Sequence, residues 1–71
     1  MVSRISVFEV IKSYLLENDL GSKDSRNMLY SNKNAYEMHL AIVLNILNEN
    51  GVNSVDEQIN AEFKKILENG F

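Results

Sequence analysis

His39 is the single side chain in this sequence whose ordinary pKa puts a charge change near neutrality. Two chemical uses follow: a general base, or a pH sensor at a contact surface. A base needs a nucleophile beside it and a third group to orient it. Ser3, Ser6, Ser22, Ser25, Ser31 and Ser54 stand where helix caps or loops belong, and none sits in a nucleophile motif. The plainer use is a histidine at the edge of an interface.

Carboxylates are plentiful, but acid–base pairs and metal sites need them to converge. Glu9, Glu37, Asp56 and Glu57 fall in first turns of helices, where capping accounts for them. Glu17 and Asp19 close the first helical segment, and Glu62 and Glu68 belong to the last. The run from Asp19 to Asp24 lacks the ligand spacing and closing glutamate of a calcium loop. With no cysteine and one histidine, a structural zinc site has no ligand set. No glycine-rich phosphate loop is present. The expectation is a chain with no catalytic residue, no metal and no cofactor. Lys23, Arg26 and Lys33 give the stretch before the second helix a positive balance, which suits either an anion contact or a solvated loop.

Three helices are predicted to position these residues. Ser6-Val7-Phe8-Glu9 is a capping box. Val7, Val10, Ile11, Tyr14 and Leu15 then recur at the spacing of one helical face, so a helix is expected over about 4–19, with Gly21 as its breaker. A second helix is expected over about 35–49, from an Asn34-Ala35-Tyr36-Glu37 cap to an Asn50-Gly51 stop. A third, over about 55–69, opens on the capping box Ser54-Val55-Asp56-Glu57 and ends at Gly70. Its stripe is Val55, Ile59, Phe63, Ile66 and Leu67. Residues 21–33 carry no period and are expected to be an ordered or mobile loop, in which Leu29 and Tyr30 could dock.

The middle helix is apolar on two sides. Tyr36, Leu40, Val43, Leu44 and Leu47 form its main stripe, and Met38, Ile42 and Ile46 form another at i, i+4, i+8. The first can pack in an antiparallel hairpin against the last helix, with Phe8, Ile11 and Leu15 laid across that pair. The other stripe needs a cover, either the 21–33 segment or a second molecule. Met38, Ile42 and Ile46, with His39 at the edge and Met28 and Tyr30 nearby, are the expected partner or dimer contact.

Composition narrows the class. Seventy-one residues make one small domain, and such a chain buries only about 60% of its unfolded surface. Without disulfides or zinc, self-association is the remaining way to reinforce it. The net charge of −3 argues against nucleic acid or an anionic membrane as main partner. The longest apolar run, Leu40 to Leu44, falls far short of the roughly 20 residues of a membrane span, and the N-terminus lacks the pattern of a signal peptide, so a cytoplasmic protein is expected.

Ile42-Val43, Ile46-Leu47, Gly51, Ile59, Ala61 and Leu67-Glu68 follow a rhythm that resembles the small enterobacterial connector proteins tying two-component signalling to biofilm formation and acid resistance. Ile11-Lys12-Ser13-Tyr14-Leu15 is similar to the aromatic first helix of that group. The resemblance covers about half the chain, and the 21–33 connection is longer here. It implies a dimeric helical regulator acting through protein contacts. From the sequence, then, an all-α three-helix bundle is expected, a small regulatory or adaptor protein and homodimer with a further protein partner. Two alternatives stay open: a dedicated inhibitor, chaperone or immunity-type partner of one larger protein, and a nucleic-acid-binding regulator using residues 22–33.

Overall fold

The computed structural model describes residues 6–52 and 56–71. Among them the chain forms four α-helices and no strand: α1 Val7–Glu17, α2 Lys23–Ser31, α3 Lys33–Glu49 and α4 Asp56–Asn69. The expected cap of α1 is in place, with the Glu9 amide donating to Ser6 Oγ at 3.1 Å. The expected helix start at residue 4 and the capping box expected from Ser54 fall on residues outside those described.

Where α1 stops, Asp19 takes the left-handed backbone that a glycine was expected to supply, at φ 56°. The Leu20 amide reaches back to the Leu15 carbonyl at 2.7 Å and the Asp19 amide to Leu16 at 3.4 Å, the paired bonds of a Schellman closure. Aspartate tolerates this conformation better than most residues. Gly21 therefore does another job. A Cβ there would lie 2.9 Å from Leu16 Cδ2 and 3.2 Å from the Phe71 ring, so glycine lets those side chains close over the loop. At the end of α3 the expected glycine stop holds: Gly51 has φ 75°, and the Val52 amide bonds the Leu47 carbonyl at 2.9 Å.

The segment expected to be a loop is the helix α2, which corrects the bundle from three helices to four. Ser22 caps it by accepting from the Ser25 amide, and Asp24 lies in its first turn, where the helix dipole favours an acid. Asn32, and not Asn34, caps α3, accepting from the Ala35 amide at 3.1 Å. Asn32 is extended, with φ −104° and ψ 104°, so this one residue turns the chain from α2 into α3.

The core holds Ile11, Tyr14 and Leu15 of α1, Leu29 of α2, Val43 and Leu47 of α3, and Ile59, Phe63, Ile66 and Leu67 of α4. Phe63 is fully buried and meets the Tyr36 ring at a tilt, with centroids 5.4 Å apart. Every helix thus contributes to one core. The division of labour differs from a simple hairpin of the last two helices. α4 packs most extensively on α2, then on α1, and least on α3.

Candidate protein-contact surface

The packing of α2 decides which apolar residues are left outside. Leu29 enters the core, and the Tyr30 hydroxyl donates to Glu68 Oε1 of α4 at 2.7 Å. Neither residue folds back over the second stripe of α3. Met38 is 55% exposed, Ile42 39% and Met28 66%. Ile46 is only partly buried and packs against the edge of the core. It lines a shallow hollow of about 220 Å³ with Val10, Tyr14, Glu9 and Glu17 of α1.

The surroundings of His39 lie between these groups. Its Nδ1 is 2.5 Å from the Tyr14 hydroxyl, and the two rings are tilted with centroids 5.7 Å apart. Burial raises the pKa of the Tyr14 phenol. His39 also borders a cavity of about 180 Å³ with Met28, Leu29, Ala35 and Leu20. Its polar neighbours there are Ser25, whose amide donates to Ser22 Oγ at the α2 cap, and Asn32, whose Oδ1 accepts from the Ala35 amide at the α3 cap. This is the setting of a histidine that pins α3 to α1 at the margin of an apolar face.

The residues expected to touch a partner therefore divide. Met28, Met38 and Ile42 are exposed, His39 and Ile46 edge the same face, and Tyr30 belongs elsewhere, tied to α4 through Glu68. The three basic residues divide too. Lys23 and Lys33 are exposed, but Arg26 is half-buried beneath the end of α4. Its Nε donates to the Gly21 carbonyl at 3.0 Å and its Nη1 to the Leu67 carbonyl at 3.1 Å. Gly70, at φ 81°, makes room for the guanidinium, since a Cβ would come within 3.1 Å of it. Arg26 closes the C-terminus of α4 and the α1–α2 loop, and is not set out for an anion.

Sequence reasoning passed over a groove of about 530 Å³ between the α2–α3 corner and α4. Tyr30, Lys33, Tyr36, Glu37, Leu40, Asn60 and Lys64 line most of it. The Tyr36 hydroxyl donates to the Asn60 side chain, and burial first, then the neighbouring Tyr30, raises its pKa. Tyr30 had been assigned to the α3 face because α2 was read as a loop. Knowing that residues 23–31 are helical would have turned it toward α4.

Among the described residues no three His, Cys, Asp or Glu side chains converge to hold a metal ion, and no helix is long and apolar enough to cross a membrane. No protein-family model, curated protein or solved structure matches this chain.

Proposed function

We propose that this is a small regulatory or adaptor protein that acts by protein–protein contact, through the face formed by Met38 and Ile42 of α3 with Met28 of α2. The observation that supports this most is the exposure of those three side chains on neighbouring helices, although Leu16 of α1 is exposed as well. Fully burying one such side chain stabilises by about 1.5–3 kcal/mol, so a partner that covers them gains several such contributions. Methionine suits a contact face because its unbranched, polarisable side chain adapts to the surface it meets. The family resemblance implied a regulator of the same kind, acting through protein contacts. A nucleic-acid role has less support, since Arg26 is engaged by backbone carbonyls and the chain carries a charge of −3.

The test is differential capture. Tagged wild-type protein and the Ile42→Glu variant, both verified as folded by circular dichroism, are used to recover proteins from cells producing them. Proteins bound by the wild type should be lost with Ile42→Glu and kept with a control change on α4, Lys65→Glu. Identical recovery by wild type and Ile42→Glu contradicts this function.

A further inference from the structure

The groove beside the α2–α3 corner opens between α3 and α4, the least closely packed pair of neighbouring helices. Lys33, Tyr36 and Leu40 reach it from one face of α3, and Asn60 and Lys64 from one face of α4. Tyr36, Leu40 and Asn60 are partly buried and form its inner surface, while Lys33 and Lys64 are exposed at its rim. The buried Phe63 ring packs against Tyr36 and holds that surface in place.

The polar groups of this lining are mostly donors. Each lysine brings an ammonium group. The Asn60 side-chain oxygen accepts from the Tyr36 hydroxyl, so what Asn60 can still offer is its two N–H donors. Among the described residues of the lining, Glu37 supplies the one carboxylate. Two of the chain's seven basic residues and one of its ten acidic residues thus line one concavity, which is locally positive in a chain of net charge −3. Ligand cavities commonly hold roughly 300–1,000 Å³, with an apolar surface for the ligand body and a few polar groups to orient it. This groove, at about 530 Å³, has that size and that division.

We propose that the groove binds a small organic anion, its carboxylate held by the Lys33 and Lys64 ammonium groups and its aromatic or branched body lying on Tyr36 and Leu40. Lys33, grouped in the sequence with Lys23 and Arg26, thereby acts with Lys64 of α4 instead. Tyr36 and Leu40 each stand two positions before Met38 and Ile42, roughly 200° around the helix, so the groove is separate from the protein-contact face. Two sources carry the required chemistry: a free small acid, and the C-terminal residue of a polypeptide.

Isotope-labelled protein, followed by its amide NMR signals, is titrated into the millimolar range with N-acetylphenylalanine. A parallel titration uses N-acetylphenylalaninamide, which has the same body without the charge. The acid should move the signals of residues 30–40 and 60–64, and the uncharged amide should move them far less. Lys33→Gln and Lys64→Gln should each weaken binding about twofold to fivefold, the effect of losing an exposed ion pair. Lys65→Gln, exposed on the same helix but outside the groove, should leave it unchanged. Tighter binding of acetyl-glycyl-glycyl-phenylalanine than of N-acetylphenylalanine would mark a chain terminus as the source, and equal binding a free acid. Equal shifts from acid and amide, shifts centred on other residues, or no shift from the acid would each overturn the site. Unchanged affinity in both lysine variants would overturn it as well.

Discussion

Arg26 and Lys23 lie three residues apart and look alike in the sequence, yet they have different work. Lys23 is a solvated side chain in the first turn of α2, while Arg26 reaches across to the Gly21 and Leu67 carbonyls. The Leu67 carbonyl lies in the last turn of α4, where carbonyls have no partner within their own helix, and the Gly21 carbonyl lies in the α1–α2 loop. Hydrogen bonds from a charged donor contribute about 1.5–3 kcal/mol each at most, and partial exposure reduces that. Arg26→Ala should therefore lower the unfolding free energy by about 1–3 kcal/mol, read from the urea midpoint. Lys23→Ala should change it by less than about 0.5 kcal/mol. Equal effects from the two substitutions would show that Arg26 is not a structural tie. At the same scale, the hydrogen bond between His39 Nδ1 and the Tyr14 hydroxyl links α3 to α1.

At the scale of elements, Asn32 carries the most consequence for its size, because it ends α2 and begins α3. Its side chain accepts from the Ala35 amide, and its extended backbone sets the angle between the helices. Asn32→Ala should destabilise by about 1 kcal/mol and Asn32→Gly by only a few tenths, as measured by thermal unfolding. A neutral or stabilising Asn32→Ala would mean that the corner is not held by this cap. The elements that were legible in advance, α1, α3 and α4, each carry a long apolar stripe, and in α1 the expected cap is in place as well. Ser6 with Glu9 marked α1, and Ile59, Phe63, Ile66 and Leu67 marked α4, all of them buried. α2 escaped notice because it is nine residues long and buries one apolar side chain, Leu29, which is too little to show a period. Its Ser22 cap and Asp24 were in view, but they read equally well as loop residues. Gly21 misled for a related reason. Glycine reports either a left-handed backbone or a close approach, and here Asp19 has taken the first role and left Gly21 the second. The division of the contact residues followed from α2: once it packs on α4, Tyr30 goes with it, and Met38 and Ile42 stay uncovered.

At the scale of the molecule, the ten buried side chains among the described residues make a thin core, of the kind that commonly gives only about 3–5 kcal/mol of stability in so small a domain. Packing a second copy on α3, the homodimer expected from the sequence, would reinforce that core and cover the exposed Met38 and Ile42. Folding and association would then be coupled, so that apparent stability rises with protein concentration. Sedimentation equilibrium tests this most directly, comparing wild type with Ile42→Glu across the micromolar range and checking helicity in parallel. A wild type with twice the 8.1 kDa chain mass and an Ile42→Glu variant that is folded but of single mass are the expected results. A wild type that stays at the single chain mass up to high micromolar concentration, or an Ile42→Glu variant that associates as the wild type does, would contradict it.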